Sequence, residues 1–319
     1  MPRHTMTFQP GMRLLTQSDE CVVWQLQNET GAGTMTVYPV FPGVTLNWND
    51  VHMAAFDSGF VPADEMLAID HCREGRMEYA AAENAVAYMS AGDMKLDKRQ
   101  KHTGRFVFPT CHYHGLTVAL ELSAARRTFQ TELKDFRIDV DRILEKFELG
   151  VYPQVFHSVA GMEHIFNEMY QVPQTIRLPY LRTKILELLL YLQVMEVPRD
   201  DGEPYFYRTQ VERVRSIQQY LTEHLSQDIS QEALSKRFDF PLTSMKKCFR
   251  SVTGSTIGAW VLTCRMNRAA EMLRSDRGKS VAEIGCCVGY DSASKFASAF
   301  KRTMGMTPSE YRMERGRKE

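Results

Sequence analysis

The chain has 319 residues, of which 44% are hydrophobic and 24% are charged, and its formal net charge is zero. The length suits two domains, and the composition is ordinary for a soluble globular protein. No run approaches the roughly 18 apolar residues that a bilayer span needs, and the start MPRHTMTFQP lacks the apolar core of a signal peptide, so we expect a cytoplasmic protein without a membrane segment.

The zero net charge conceals an asymmetry along the chain. Residues 208–319 contain 20 Lys and Arg against 12 Asp and Glu, whereas residues 1–207 contain 19 against 27. A basic last third indicates that this part meets a polyanion, such as a nucleic acid, and that the rest does not.

Short β-rich runs occupy the chain up to about residue 122, among them VVWQLQ, TMTVYPV, MLAIDHC, RMEYAA and LTVALEL. Gly, Pro, Asn and Asp separate these runs at spacings typical of an all-β barrel or sandwich. The pattern predicts a β-rich first domain over residues 1–122.

From about residue 123 the hydrophobic period becomes helical, in DVDRILEKFEL, VFHSVAGMEHIFNEMYQ and PYLRTKILELLLYLQVME, with Pro173 and Pro179 as predicted breaks. The third segment carries a broad apolar stripe, so we expect its helix to be buried against the barrel or against a partner subunit. The pattern predicts a helical region over 123–197. A linker follows at 198–208, where the sequence is rich in charge, Pro and Gly.

Two segments in the last third repeat one another: ISQEALSKRFDFPLTSMKKCFRSVTG (229–254) and SVAEIGCCVGYDSASKFASAFKRTMG (280–305). Corresponding residues lie 50 positions apart before the turn and 51 positions apart after it, so the second turn contains one inserted residue. Each segment predicts a helix, a tight turn and a second helix, which is the plan of a helix-turn-helix.

The turn residues support this prediction. Ser280 and Glu283 are spaced as a capping box at the start of the second segment. Gly289 can take the left-handed conformation that ends the first helix, and Asp239 in the first segment is one of the few other residue types that tolerate it. The second helices then turn Met245 and Phe249, or Phe296, Ala299 and Phe300, inward and leave polar and basic side chains outward.

The segment between the repeats, STIGAWVLTCRMNRAAEMLRSD (255–276), predicts one amphipathic helix about 30 Å long. Successive major grooves on one face of B-DNA are about 34 Å apart. A rod of this length can hold two recognition helices in adjacent turns of the groove. We therefore predict a DNA-binding domain over 209–319, with helix-turn-helix units at 230–253 and 280–304 joined by a linker helix at 255–276.

Residues 210–313 resemble the AraC/XylS-type transcription regulators over essentially the whole of their double helix-turn-helix domain. VAEIGCCVGYDSASKFASAFKRTMGMTPSEYR is similar to that family's signature almost position for position, although Asp239, Ser235 and Gly285 replace the usual Gly, Ala and Ala. The resemblance implies an α+β multidomain protein: an N-terminal cupin-like β-barrel sensor, helices used in dimerisation, and a C-terminal all-α DNA-binding domain. The stretches HCREGR (71–76) and CHYHG (111–115) look like those of one sensor branch.

Carried over by position, the resemblance places Thr243, Lys246 and Lys247 of the first recognition helix at base edges, with Ser244 and Arg250 near phosphates. Lys suits guanine O6 and N7. The second recognition helix presents mostly alanine and serine where a base reader needs Arg, Gln or Asn. We therefore expect it to contribute phosphate and shape contacts, through a set comprising Ser292, Ala293, Ser294, Lys295, Ser298, Lys301 and Arg302.

The candidate site residues of the N-terminal region allow two interpretations, a metal site and a site for a small molecule. His112 and His114 lie two apart, as two metal ligands on one strand face would, but their spacing does not reproduce a metal cupin's, so we expect no metal and no cofactor. A metal-free barrel mouth that binds a small-molecule effector is the favoured interpretation. Its candidate lining residues are Trp48, His71, Arg73, Arg76, Tyr88, His112 and His114.

Seven scattered cysteines without a CxxC pair argue against a disulfide framework and against a structural zinc site. Cys286 and Cys287 are adjacent and could form a redox or alkyl-acceptor pair, since some DNA-repair methyl acceptors carry this same DNA-binding domain. The chain lacks the Pro-Cys-His-Arg type of site that such proteins use. We expect both thiols to pack inside as small hydrophobes.

These observations predict a homodimeric, sequence-specific, DNA-binding transcription regulator rather than an enzyme. The family implies an activator that binds double-stranded DNA, contacts RNA polymerase and is controlled by a small molecule. Two alternatives stay open: a metal-dependent cupin enzyme with a DNA-binding tail, and a regulator without a small-molecule effector.

Overall fold

The computed structural model describes residues 11–59, 65–100, 104–157, 161–197, 205–276 and 278–315. The chain divides into two compact units, Met1–Phe206 and Tyr207–Glu319. Most of the predicted linker, residues 198–204, lies outside the described residues.

The first unit is built on a strand-rich curled sheet. Its main path runs in the order β1-β2-β3-β4-β10-β6-β7, with β8 and β9 paired to β6, β5 paired to β9 and β11 paired to β8. The strands are β1 (Met12–Gln17), β2 (Val22–Asn28), β3 (Gly31–Phe41), β4 (Val44–His52), β5 (Ala55–Asp57), β6 (Met66–Ala82), β7 (Ala85–Ser90), β8 (Met94–Asp97), β9 (Arg105–Val107), β10 (Tyr113–Glu121) and β11 (Gln154–Phe156). The prediction that the N-terminal region is rich in β-strands is confirmed.

Two runs predicted as separate strands, MLAIDHC and RMEYAA, form the single strand β6. Gly75 lies inside this strand with a φ of +84°, and a Cβ there would lie 2.0 Å from the carbonyl oxygen of His112. Up to Gly75 the strand pairs with β10, and from Arg76 it pairs with β7. The glycine therefore allows β6 to continue as one strand while its pairing changes from β10 to β7.

Four α-helices follow or interrupt the strands of the first unit: α1 (Leu122–Gln130), α2 (Val140–Lys146), α3 (Glu163–Gln171) and α4 (Arg177–Val194). The prediction of one helix over VFHSVAGMEHIFNEMYQ is wrong in its first part, because residues 154–156 pair with β8 instead. Pro179 is not a break but lies in the first turn of α4, where a missing N–H costs no hydrogen bond. None of the described helices is long and apolar enough to cross a membrane.

The sheet carries apolar clusters on both faces. One face packs against α1 to α4 and includes Leu46, Ile69, Leu116 and Val118. The other cluster is formed by strand and loop residues alone. Its buried members are Trp24, Leu26, Val51, Met53, Phe56, Cys72, Met77, Met89, Phe108 and Tyr113. Apolar side chains therefore pack on both faces of the sheet.

The second unit is helical after the short strand β12 (Phe206–Tyr207). Its helices are α5 (Arg208–Glu223), α6 (Gln231–Arg237), α7 (Leu242–Thr253), α8 (Ile257–Ser275), α9 (Val281–Cys287), α10 (Ala293–Met304) and α11 (Pro308–Arg315). We call α6 and α7 with their turn the first helix-turn-helix unit and α9 and α10 with their turn the second.

The repeat of the sequence is a repeat of the structure. Ser280 and Glu283 form the predicted capping box at the start of α9. Asp239 and Gly289 have φ values of +45° and +86°, so both turns use the left-handed conformation. Met245, Phe249, Phe296 and Phe300 are all fully buried, and Ala299 is 7% exposed, which confirms the predicted inner faces of α7 and α10.

The prediction that Cys286 and Cys287 pack inside is wrong, because both residues are exposed. The inner face of α9 consists of Ile284 and Gly285, and Val288 follows one turn after Ile284. Helical periodicity places residues 286 and 287 on the other side of the helix. Gly285 makes the close contact instead: a Cβ added there would lie 3.1 Å from the ring of Phe296.

Candidate DNA interface and N-terminal ligand site

The outer face of α7 carries every residue predicted for the first recognition helix. Met245, Cys248, Phe249, Val252 and Thr253 anchor the opposite face in the core, so the predicted positions point outward. The exposed residues of this face are Thr243, Ser244, Lys246, Lys247 and Arg250.

On α10 the predicted residues are exposed as well, with one exception. Ser292 is half-buried because it caps the helix, and its hydroxyl accepts a hydrogen bond from the backbone N–H of Lys295 at 3.5 Å. The exposed members are Ala293, Ser294, Lys295, Ser298, Lys301 and Arg302. The side chains near the start of this helix are short, and the cations stand at residue 295 and in the last turn.

The cations of the two recognition helices form no ion pair with any described residue. Among the described side chains, none of Lys246, Lys247, Arg250, Lys295, Lys301 and Arg302 forms an ion pair. Other basic residues of the unit are occupied: Arg268 pairs with Glu271 at 3.0 Å, and Lys279 pairs with Asp276 at 3.0 Å. Six exposed cations without an ion-pair partner among the described residues are suited to phosphate groups.

In the first unit, three predicted ligand residues meet around Tyr170 of α3, which the sequence did not single out. The hydroxyl of Tyr170 donates to the carbonyl oxygen of His71 at 3.2 Å. Arg73 stands over its ring at 4.9 Å, and His114 meets it edge-on at 5.5 Å. We call these four residues the Tyr170 cluster. Tyr170 follows His71 by 99 residues and His114 by 56 residues in the sequence, so no local pattern could reveal the cluster.

The environment of the Tyr170 cluster alters its titratable groups. His71 is stacked on Phe166 with the ring centroids 4.1 Å apart, and burial lowers its pKa from 6.5 to about 4. Burial also lowers the pKa of His114 and raises that of Tyr170. His71 is therefore a neutral, buried ring at physiological pH.

Trp48 belongs to the same sheet face as His71. Leu116 of β10 pairs with Trp48 on one side and with His71 on the other. Arg177 of α4 stands over the Trp48 ring at 4.8 Å, and the buried indole Nε1 has no hydrogen-bond partner among the described residues. Trp48, His71, Arg73 and His114 thus face the helices rather than the strand-only cluster.

Of the other predicted ligand residues, Arg76 and Tyr88 bond to side chains on β7 and β6, whereas His112 borders the Tyr170 cluster through Glu74. Arg76 donates to the hydroxyl of Ser90 at 2.7 Å, and Tyr88 donates to Glu78 at 3.0 Å. His112 is beside His52, with their Nδ1 atoms 3.3 Å apart. Glu74 lies 3.9 Å from Arg73 and 3.4 Å from His112, so His112 adjoins the cluster, while the hydrogen bonds of Arg76 and Tyr88 go to Ser90 and Glu78.

His112 and His114 do not share a metal-ligating cluster. His112 approaches a carboxylate oxygen of Glu74 at 3.4 Å, whereas His114 faces Tyr170. Among the residues that the structure describes, no group of three or more His, Cys, Asp or Glu side chains could hold a metal ion.

A helix-turn-helix domain is also what comparison with known proteins finds. Residues 234–314 match a family described as "Helix-turn-helix domain". Regulatory protein SoxS of Salmonella typhimurium is 27% identical over 99 residues, which cover 31% of this chain and 92% of that protein. HTH-type transcriptional activator RhaR of Mannheimia succiniciproducens is 29% identical over 125 residues, covering 39% of this chain and 44% of that protein.

A third relative, the F1 operon positive regulatory protein of Yersinia pestis, is 36% identical over 101 residues, which cover 31% of this chain and 33% of that protein. The chain thus matches less than half the length of two of these three relatives. The similarity lies in the part of the chain that forms the two helix-turn-helix units. The C-terminal unit therefore carries a helix-turn-helix domain of the AraC type, which the chain shares with these regulators.

Proposed function

We propose that this protein is a sequence-specific DNA-binding transcription regulator that activates transcription in response to a small molecule. One observation carries the proposal: two repeated units each present an exposed helix whose cations form no ion pair within the described part of the protein. Neither an isolated helical bundle nor an enzyme requires such a pair.

The two recognition helices have different tasks. In α7, Thr243, Lys246 and Lys247 contact base edges, and Ser244 and Arg250 contact phosphates. In α10, Lys295, Lys301 and Arg302 contact phosphates, while the alanine and serine positions fit the groove by shape and by methyl contacts. The 19 residues of α8 span about 28 Å, close to the roughly 34 Å between successive major-groove segments on one face of DNA.

Activation is the mode that the relatives' names support, since two of them are called a transcriptional activator and a positive regulatory protein. RNA polymerase is then the protein partner of the DNA-bound form. Transcription from a template that carries the selected site, in a purified system, should rise when the full chain is added.

Effector control acts through the sheet face that carries Trp48 and the Tyr170 cluster. Two charged or aromatic groups there, Arg73 and His114, are partly exposed, and each touches a helix residue. A ligand bound beside them would change how the sheet and α3 pack. In a metabolite screen on the full chain, an effector should raise the melting temperature of the wild type and of His112→Ala but not of Arg73→Ala.

The dimer forms through the outer face of α4. Leu181, Ile185 and Leu188 hold its inner face in the core, but Leu190, Tyr191 and Val194 are 37%, 40% and 76% exposed. Leu190 and Tyr191 border an apolar groove on the surface together with Phe136. Sedimentation should show a dimer for the wild type, a monomer for Leu190→Glu, and a dimer for the control Leu15→Glu, which alters an exposed leucine on β1.

Binding-site selection on random DNA with the full chain tests the proposal as a whole. The expected result is an enriched site with two segments about one helical turn apart, contacted on one face of the duplex. Recovery of unenriched DNA would refute sequence-specific binding.

A further inference from the structure

The linker helix α8 packs on both helix-turn-helix units. Near its start, the Trp260 ring meets Phe249 of α7 at a centroid distance of 5.8 Å. Towards its end, Met266, Ala269 and Leu273 share a buried cluster with Phe296 of α10. The residue at the boundary between these two halves is Arg265.

Arg265 reaches from α8 to the loop that connects α5 and α6. Its Nε donates to the carbonyl oxygen of Leu225 at 2.7 Å, and its Nη2 donates to the carbonyl oxygen of Gln227 at 2.9 Å. The planar guanidinium suits two such acceptors at once, which a lysine ammonium would not satisfy in the same geometry. This loop leads directly into the first helix-turn-helix unit.

The second unit approaches the same guanidinium from its turn. A Cβ added at Gly289 would lie 3.0 Å from Nη2 of Arg265 and 2.9 Å from the carbonyl oxygen of Ser226. Glycine at residue 289 therefore does more than permit a φ of +86°, because it also allows the turn to sit against the loop of the first unit. Arg265 is the side chain at which loop, linker helix and second turn meet.

We propose that Arg265 is a positioning residue that fixes the distance and angle between α7 and α10, so that the protein binds DNA segments at a single spacing. The proposal rests on the proposed DNA-binding function. Without the two carbonyl contacts, the loop of the first unit is no longer tied to α8 beside the second turn, and each recognition helix can adjust to DNA separately.

The experiment uses the full chain and the DNA that the wild type selects, together with variants of this DNA that have one or two base pairs inserted or removed between the two segments. For the wild type, each changed spacing should weaken binding by about tenfold or more, because one segment is lost from a rigid pair. For Arg265→Gln, the affinity for the selected spacing should fall by about tenfold and the differences among spacings should shrink to roughly threefold or less.

Arg268→Gln is the matched control. It removes the same charge from the same helix, but Arg268 is exposed and pairs with Glu271 rather than with the loop. This variant should keep the wild-type spacing profile. A profile for Arg265→Gln that keeps its shape and only shifts to weaker binding would overturn the proposal, since a merely structural role has this effect.

A second pair of variants tests the contact between Arg265 and the second turn by changing glycines of the second unit. Gly289→Ala and Gly305→Ala place a Cβ at residues with nearly equal φ, +86° and +80°, but the Cβ at residue 305 meets nothing within 4 Å. Gly289→Ala should flatten the spacing profile as Arg265→Gln does, and Gly305→Ala should not. Equal profiles for these two variants would contradict the inference. If the wild type itself selects no DNA, the proposed function fails instead.

Discussion

Asp70 and Lys95 form an ion pair inside the N-terminal unit, with Nζ 3.0 Å from Oδ2 and both side chains only 2% exposed. Arg99 adds a second cation 2.9 Å from the same carboxylate, and the Thr117 hydroxyl donates to it at 2.6 Å. Burial opposes ionisation of Asp70, but Arg99 and Lys95 outweigh it and lower the pKa of this carboxyl. Asp97 supplies the second negative charge, so the network is neutral as a whole.

Asp70→Asn should therefore destabilise the protein strongly. The change leaves two buried cations with only Asp97 to balance them, and breaking such a pair costs about 3–5 kcal/mol. Urea denaturation followed by fluorescence measures this loss. The control is Asp57→Asn, which breaks an exposed pair with Arg105 and should cost less than about 1 kcal/mol. Equal losses in the two variants would show that burial does not decide the cost.

The pKa of His71 predicts how stability depends on pH. In the folded protein this pKa is about 4, whereas the ordinary value is 6.5, so the unfolded chain binds the proton first as the pH falls. The neutral His71 ring therefore contributes about 3 kcal/mol to the free energy of unfolding. This contribution is fully present above pH 6.5 and is lost as the pH falls from 6.5 to 4. His114 acts in the same direction, because its pKa is also lowered.

Denaturation curves at several pH values between 7 and 4 measure this dependence. His71→Gln should remove most of the slope in that window, although it also costs stability at pH 7. An unchanged slope in His71→Gln would contradict the neutral, buried state of this ring.

The C-terminal domain could be predicted from sequence because its determinants are local. A capping box, a left-handed turn residue and two helical apolar stripes each lie within a few positions, and the repeat of Phe249 as Phe300 supplies an internal check. The same local signals did not show whether the side chains of Cys286 and Cys287 are buried or exposed. A seven-residue helix buries few side chains, and which ones it buries depends on its contact with α10.

In the N-terminal unit, the sequence predicted a β-rich region followed by helices, but not which strands pair or which distant residues meet. Its Tyr170 cluster and its buried charges join residues that are far apart in sequence, and a charged residue such as Lys95 is expected on the surface by its type. The run VFHSVAGM shows a helical period, yet β8 offers its backbone a sheet partner and residues 154–156 pair with it. Pairing between distant strands is set by the whole fold, which local periodicity does not encode.

Thiol labelling distinguishes the surface cysteines from the core cysteines. In the folded protein, iodoacetamide should modify Cys111, Cys286 and Cys287 quickly, because all three are exposed. Cys72 and Cys248 should stay unmodified until the chain is unfolded, since burial raises the pKa of each to about 12 and excludes the reagent. Peptide mass spectrometry reads the order of labelling, and protection of Cys286 equal to that of Cys248 would restore the packing interpretation.

Base specificity should be concentrated in the half of the DNA site that α7 contacts. Lys247→Ala removes a side chain that can bind guanine edges, so binding-site selection with this variant should lose about 1–3 kcal/mol of discrimination at one or two positions. Ser298→Ala removes only a hydroxyl from the outer face of α10 and should leave the selected sequence intact. Equal relaxation of base preference by the two variants would refute this division of tasks.

The most direct test of the central claim is the salt dependence of binding to the selected DNA, measured by fluorescence anisotropy with the full chain. Lys301→Ala and Lys246→Ala should each weaken binding and lower the slope of log K against log salt concentration by about one. Lys134→Ala, which removes an exposed cation from the N-terminal unit, should change neither quantity. If all three variants bind with the wild-type slope, α7 and α10 are not the surfaces that meet DNA.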